Sequence, residues 1–542
     1  MNSEKYVRWK SEESINNSKE PLYGNEIERP SNVPTWTSAR YVLAYMAFFG
    51  FFNVYALRVN LSVAIVSMAN TSDTHNASNE CPVSHTNSTP KEGEFNWSSN
   101  EKALVLGAFF YGYICTQLIG GILASKFGGK YLFGCGVLCT TVFTLLTPVA
   151  ARTSFALLIA TRVVEGLGEG VTFPAMHAMW GVWVPPLERS KLVSLGYAGC
   201  HFGTFIAQPI SGILCNSDFL GGWPSVFYVF GTLGLIWCLM WFIVVHNKPR
   251  DHPRISAAEL QYIESTVPQE QTEFTIPWMD ILTSRHVWAI SCAHFANNWG
   301  FYTLLTCLPM YLKYVLRFDM TTSGIISALP FFVMWVSINL SGFVCDYLRE
   351  KRILNTTQAR KVFNSIGLIG PAIFLVAAGY VGCNNTLIIA FICIATAFNG
   401  CTFPGFNSNH IDIASRYSGI LMGITNTFAT IPGFVSPIVV EKLTGDNETR
   451  EQWRIVFFIA CGIYIVGTIL FILLASGEEQ EWNRPQFLFL DDTRQPLLRD
   501  EGFHEKDISR FPHLNHNANS NSGMSRHRVS FSSSGGYESP DA

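Results

Sequence analysis

The chain has 542 residues, of which 48% are hydrophobic and only 14% charged, and its net charge is −3. Soluble domains carry roughly 25% charged residues, so this composition excludes a soluble multidomain enzyme and a nucleic-acid-binding protein. It indicates a polytopic protein that has the lipid bilayer as its partner.

Residues 1–39 are polar, with no apolar signal segment, and read as a cytosolic N-terminal tail. Twelve apolar runs follow, each of about the 20 residues that a span needs. They lie at roughly 40–68, 102–124, 130–150, 154–183, 192–214, 226–246, 287–312, 321–344, 363–382, 387–412, 418–440 and 455–475. The expected fold is therefore all-α, with twelve transmembrane helices in two six-helix halves, 40–246 and 287–476. A polar cytosolic linker at 247–286 joins the halves, and 257–263 within it can form a short surface helix. Residues 477–542 are rich in Ser, Asn and His and read as a disordered cytosolic tail.

Lys and Arg set the orientation. Short loops on one side hold Lys126, Lys130, Arg189, Lys191, Arg349, Lys351, Arg352, Arg360, Lys361 and Arg416; the other side holds fewer. Both termini are then cytosolic. Four sequons, at Asn70, Asn76, Asn87 and Asn96, crowd the opposite loop 69–101, where acceptors belong. Glycans are expected at Asn70, Asn76 or Asn87 and not at Asn355, which falls in a cytosolic loop. Asn447 lies in the last outer loop. Most of the fourteen cysteines sit in apolar runs as buried small hydrophobes. Cys81 is in the polar loop and could form a disulfide, although the sequence names no partner.

Several polar residues stand inside apolar runs. Arg58 interrupts the first, where a central Arg costs about 2.5–3.5 kcal/mol on insertion scales, so it reads as a site for an anionic substrate or an internal carboxylate. Glu165 and Glu169 share a face of the fourth helix at i, i+4. Two carboxylates so close in low dielectric do not both ionise readily, which suits a proton carrier. Arg162, three residues before Glu165, can instead pair with it structurally. Gly166 and Gly170 read as close helix packing. His177 is either a hydrogen-bonded structural histidine or part of a proton relay. The seventh helix carries His294, Asn297, Asn298 and Tyr302, and the tenth Asn407, Asn409, His410 and Asp412. Clusters on helices 1, 4, 7 and 10 suit four three-helix repeats around one midplane cavity. No catalytic constellation or metal-ligand spacing appears, so no enzyme, catalytic residue, metal or cofactor is expected.

A loop motif recurs six helices apart. Gly120-Gly121-Ile122-Leu123-Ala124-Ser125-Lys126-Phe127-Gly128-Gly129-Lys130 has a second copy in Ser341-Gly342-Phe343-Val344-Cys345-Asp346-Tyr347-Leu348-Arg349. The first copy resembles the loop motif of the major facilitator superfamily, with Ser125 where Asp is usual; the second keeps Asp346. Gly121, Lys126, Gly129, Lys130, Arg162, Asp346 and Asp412 are accordingly candidate structural or gating residues.

Further stretches resemble the sialin branch of the anion/phosphate-symporter solute carriers. They include Tyr55-Ala56-Leu57-Arg58-Val59-Asn60, Phe109-Phe110-Tyr111-Gly112-Tyr113, Glu165 through Trp180, Pro185-Pro186-Leu187-Glu188-Arg189 and Asn409-His410-Ile411-Asp412. The resemblance spans about residues 38–485 and implies a major facilitator fold. It implies a carrier of small organic anions, with Arg58 on the substrate carboxylate and Glu165 and Glu169 coupling transport to protons. The candidate substrate contacts are Arg58, Tyr111, Asn297, Asn298, Tyr302 and Asn409, and the proton-coupling set is Glu165, Glu169 and His177. Vesicular glutamate transporters have His where this chain has Leu106 and Arg where it has Asn297, so the second cationic contact of that branch is missing.

The expected activity is proton-coupled export of sialic and other acidic sugars from an acidic lumen. The alternatives are vesicular uptake of aspartate or glutamate, sodium/phosphate symport with Na+ as the coupling ion, and a transporter-like receptor. A monomer in the lysosomal membrane is expected, with synaptic or secretory vesicles and the plasma membrane as alternatives. The branch's N-terminal dileucine signal is replaced by Glu20-Pro21-Leu22-Tyr23, and Leu497-Leu498 offers an adaptor-binding site instead.

Overall fold

In the computed structural model the described residues are 36–69, 93–267, 275–316, 320–444 and 449–483. Asn70, Asn76, Asn87, Cys81, Asn447, Leu497 and Leu498 lie outside them. The spans are α1 (Ala39–Met68), α2 (Ser99–Phe127), α3 (Gly129–Thr153) and α4, in two pieces (Phe155–Gly170 and Thr172–Trp183). Then come α5 (Arg189–Asn216), α6 (Pro224–Val244), α7 (Arg285–Met310), α8 (Met320–Glu350) and α9 (Thr356–Tyr380). The last three are α10 (Asn385–Asn399, continued through short irregular turns to Ile413), α11 (Ser418–Thr444) and α12 (Arg450–Leu474). All twelve predicted runs are helical.

Local chemistry sets several boundaries. Ser98 with Glu101, Asn355 with Gln358 and Thr449 with Gln452 form capping boxes that start α2, α9 and α12. Nine helices among the described residues are long and apolar enough to cross a membrane. The three that fall short are α4, which is broken into pieces of 16 and 12 residues, and α5 and α7, whose interiors hold buried polar groups (His201, Asn297 and Asn298).

The two halves pack alike. In the first, α1 lies on α5, α2 on α4, and α3 on α4 and α6; in the second, α7 lies on α11, α8 on α10, and α9 on α10 and α12. The halves meet through α2 with α11 and α5 with α8. The same pairing scheme twice is what two copies of one six-helix unit produce.

Helices α4 and α10, equivalent in this scheme, break at equivalent places. Gly170-Val171-Thr172-Phe173-Pro174 and Gly400-Cys401-Thr402-Phe403-Pro404 are a second internal repeat that the sequence reading missed. Proline lacks the N–H that would continue the helical ladder. In α4 the helix splits at Val171, with the Thr172 hydroxyl donating to the Glu169 carbonyl at 2.6 Å. In α10 a π-turn spans Phe403–Asn407, with Gly405 at φ −78°, ψ −112°. Broken helices at corresponding positions bring backbone and polar side chains to the bundle's middle.

The linker helix forms at Ala257–Thr266, three residues longer than expected, with Ser256 as its cap. It is not a free surface element. Buried Glu259 accepts the backbone N–H groups of Ala39 and Arg40, the first turn of α1, and pairs with the Arg40 guanidinium at 3.0 Å.

Candidate substrate and proton site

A small cavity of about 40 Å³ lies between the halves. Its first-half wall includes Tyr55, Tyr113, Phe173 and His201; its second-half wall includes His294, Asn297, Asn298, Tyr302, Asn407 and Asn426. No Lys or Arg of the described residues is among its lining groups.

The charge sits just behind the first-half wall. Glycines set its position: a Cβ at Gly166 would strike the Phe109 carbonyl, and one at Gly170 the Tyr113 carbonyl. This GxxxG therefore presses α4 onto α2, as expected, and brings Phe109 and Tyr113 beside Glu169. Arg58 enters from α1. Its Nε donates to Glu169 Oε1 at 2.7 Å and its Nη2 donates to the same oxygen. Its guanidinium lies 4.7–4.9 Å from the ring centroids of Tyr55, Phe109 and Tyr113. Such contacts contribute about 2 kcal/mol or more each when desolvated.

Both partners are nearly inaccessible, yet Arg58 Nη1 and Glu169 Oε2 have no hydrogen-bond partner. The pair uses one oxygen of two and leaves a donor and an acceptor open. Removing one member of a buried ion pair costs roughly 3–5 kcal/mol because the other is left uncompensated. If Glu169 takes up a proton, Arg58 therefore needs another anion.

Glu165 is separate. It pairs with Arg162 on its own helix and accepts the Thr147 hydroxyl of α3 at 3.0 Å. Arg162 lies 5.4 Å from the Phe109 ring, on which Arg58 also rests. Shared burial and one aromatic ring connect the two ion pairs, but only Glu169 meets Arg58.

On the second-half wall, Asn399 Nδ2 donates to Asn297 Oδ1 at 2.9 Å, and Asn297 donates to Asn298, which donates to the Ala429 carbonyl. Tyr302 packs edge-on against Phe110, and Asn426 donates to Tyr113 and Gln117 across the halves. Asn297, Asn298 and Tyr302 thus come together as expected.

Tyr111 and Asn409 do not join them. Tyr111 is half exposed on the outer face of α2, because Gly112 turns toward α4 and the residues on either side of it point apart; Tyr113 takes the inner place. The stripe Phe109, Tyr113, Gln117 at i, i+4 was the available signal. Asn409 is buried but donates to the Ser476 carbonyl at 2.8 Å, tying α10 to the segment after α12. His177 is also away from the Arg58–Glu169 pair. Its Nε2 faces the Asn407 carbonyl at 3.3 Å and its Nδ1 takes the Tyr197 hydroxyl.

The gating candidates divide. At the end where α2–α3, α4–α5 and α8–α9 connect, which carries most of the loop cations, Asp412 of α10 receives Arg189 of α5 at 2.9 Å and Arg360 of α9 at 2.5 Å. Asp346 accepts the N–H groups of Ser190 (3.2 Å) and Lys191 (2.6 Å) at the start of α5, and Arg349 binds the Pro186 carbonyl. Both carboxylates therefore join the halves and close this basic end. Gly121 lets α2 meet the Gly419 backbone of α11. Gly129 and Lys130 act within the first half instead: a Cβ at Gly129 would strike the Ala175 carbonyl, and Lys130 N–H donates to Asn247. Lys126 is exposed over Phe127 and makes no ion pair among the described residues. Ser125 donates to Gly121 of its own helix, where the second copy's Asp346 reaches across.

Residues 37–437 match the model of the Major Facilitator Superfamily. Human sialin is 50% identical over 464 residues, covering 84% of this chain and 92% of that protein. Bovine vesicular glutamate transporter 1 is 40% identical over 453 residues, covering 82% and 79%. The solved proton:xylose symporter XylE, bound to a bromodeoxyglucose, superposes with a TM-score of 0.60 at 13% identity, covering 81% of this chain and 97% of its own, a likeness of fold. The chain belongs to the major facilitator superfamily and, within it, to the sialin-like branch of the anion and phosphate symporters, which are secondary transporters and not enzymes.

Proposed function

We propose that the protein exports sialic and other acidic sugars from an acidic lumen, with protons as the coupling ion. The observation that carries this reading is the buried Arg58–Glu169 pair with one open atom on each partner, just behind a cavity whose opposite wall carries amides. A proton on Glu169 releases Arg58 to hold one carboxylate. Asn297, Asn298, Asn407 and Asn426 suit a neutral, hydroxyl-rich body. A dicarboxylate would want a second cation there, which disfavours aspartate and glutamate. Facing neutral cytosol, Glu169 loses its proton, reclaims Arg58 and displaces the anion. A difference of about two pH units supplies about 2.7 kcal/mol per proton to this exchange.

In this reading both termini are cytosolic and the domain limits are those expected from the sequence: 1–39, 40–246, 247–286, 287–476 and 477–542. Glycans occupy Asn70, Asn76 or Asn87. Asn355 stays bare, and its Oδ1 is already engaged as the cap of α9, 2.8 Å from Gln358 N. The carrier works as a monomer in the lysosomal membrane, with Leu497-Leu498 for an adaptor.

The test is uptake into proteoliposomes under a pH gradient, with sialic acid, glucuronate, aspartate, glutamate and phosphate as competitors. Sialic acid and glucuronate should compete and the proton should move with them. Accumulation that follows membrane potential and is blocked by glutamate alone would overturn the reading, as would sodium-dependent phosphate uptake or binding without flux.

A further inference from the structure

Below the cavity floor a hydrogen-bonded chain joins three histidines from three helices. His294 of α7 lines the cavity, and its Nδ1 is 3.2 Å from Thr425 Oγ1 of α11. The same hydroxyl is 2.8 Å from His410 Nε2, and His410 Nδ1 is 2.9 Å from the Asn407 carbonyl. His177 Nε2 reaches that carbonyl from the other half at 3.3 Å. His177 and Asn407 occupy matching positions of the two Thr-Phe-Pro repeats, so the halves touch there through equivalent residues.

The partners fix the proton positions. A carbonyl only accepts, so His177 Nε2 and His410 Nδ1 each carry a proton, and neutral His410 must accept at Nε2. The Thr425 hydroxyl donates there, because its alternative, the Met422 carbonyl, is 3.4 Å away. Its oxygen then accepts from His294 Nδ1–H. The acceptor left over is His294 Nε2, on the residue that lines the cavity.

We propose that this chain is a proton relay from the cavity floor to the contact between the halves, and that a proton delivered along it loosens the basic end. The steps balance. A proton binds His294 Nε2, the His294 Nδ1 proton passes to Thr425 Oγ1, and the Thr425 proton passes to His410 Nε2. His294 is again neutral, in its other tautomer, and His410 is an imidazolium.

The groups around His410 give the direction. From α4, the His177 ring is 5.1 Å away, itself bonded to Tyr197 of α5; from α7 comes His294; two residues along α10 is Asp412, already shared by Arg189 of α5 and Arg360 of α9. An imidazolium there weakens the hold of Asp412 on its two arginines through the field it adds and not through contact, because both His410 ring nitrogens are bonded to Asn407 and Thr425. Arg360 is also held by Ser190 and the Pro404 carbonyl, whereas Arg189 has one bond to Asp412 and an unpartnered Nε. Arg189 is therefore the cation that leaves, and it is the one from the first half.

The inference rests on alternating access but not on the identity of the substrate, so its test uses none. Spin labels at Phe127→Cys and Ile353→Cys, exposed residues of the two halves at the basic end, report separation in nanodiscs. The background is Glu169→Gln, which removes the carboxylate paired with Arg58. Lowering the pH from 7.5 to 5.5 should shift the population toward the longer distance. Thr425→Val, of nearly the same shape, should abolish that shift, and Thr425→Ser should restore it. No shift in the Glu169→Gln background, a shift that persists in Thr425→Val, or equal loss with Val and Ser would each overturn the relay. Failure of sugar transport with an intact pH response would instead count against the proposed substrate.

Discussion

Two arginine–glutamate pairs stand one helical turn apart on α4, and their surroundings differ. Glu165 is held by Arg162 of its own helix and by Thr147, while Glu169 is held by Arg58 of another helix and keeps one oxygen unpartnered. The sequence presents them as equivalents at i, i+4. The packing makes one a fastening within the first half and the other an exchangeable contact behind the cavity wall. An ion pair can serve as a switch when its members sit on separate elements and each leaves a group for a competitor.

Substitutions can break this contrast in graded ways. The largest loss is expected from Arg58→Ala, which strands Glu169 and should destabilise the fold by roughly 3–5 kcal/mol as well as stop flux. Arg58→Lys keeps the charge without the planar fork. It should leave glycan maturation intact and lower flux at least tenfold by about 1.4 kcal/mol or more of lost carboxylate binding. Normal transport by Arg58→Ala would place the substrate elsewhere.

Asp412→Asn comes next, because it leaves Arg189 and Arg360 with no shared carboxylate. The melting temperature should fall, and the basic end should open in the absence of substrate, as read by the same spin labels. Glu165→Gln is milder. It should cost stability through Arg162 while leaving pH-driven accumulation in place, and equal loss with Glu169→Gln would show that the two carboxylates titrate as one unit.

A smaller effect is expected from Ser125→Asp. Asp346 caps the start of α5, but Ser125 bonds only its own helix, so the basic end is latched on one side of the pseudo-symmetric pair. An Asp at 125 facing the start of α11 should add about 0.3–1 kcal/mol to closure and slow turnover by a few-fold. The least change is expected at the other end, where Arg152 holds the Glu94 carboxyl below its ordinary value. A depressed carboxyl contributes stability above its unfolded value that is lost as pH falls through the folded one. The pair is largely exposed, so Arg152→Ala should leave the melting temperature nearly unchanged at pH 5 and 7.

The fold was legible because bilayer length and hydropathy act on each helix separately. Even α4, broken into two short pieces, and the more polar α5 and α7 were placed by their flanking charges. The site was legible where charge was out of place, as at Arg58 and Glu169. It was not legible where the choice depended on which face a neighbour covers. Tyr111 and Tyr113 are two residues apart, and only the contact of Gly112 with α4 decides that Tyr113 faces inward. Asn409 looked like a cavity residue until the segment after α12 claimed it. The Thr-Phe-Pro repeat was present in the sequence and marks both helix breaks, and with them His177 and Asn407. Thr425, by contrast, is an ordinary threonine in an apolar helix, and only its neighbours reveal it.

The most direct measurement is sialic acid accumulation by Glu169→Gln proteoliposomes with and without a pH gradient, beside equilibrium binding at pH 5.5 and 7.5. Glutamine keeps the shape of the protonated acid and frees Arg58 at every pH. Binding should be retained or tightened and nearly independent of pH, with accumulation no longer driven by the gradient. A Glu169→Gln protein that still concentrates sialic acid in response to the pH gradient would contradict it.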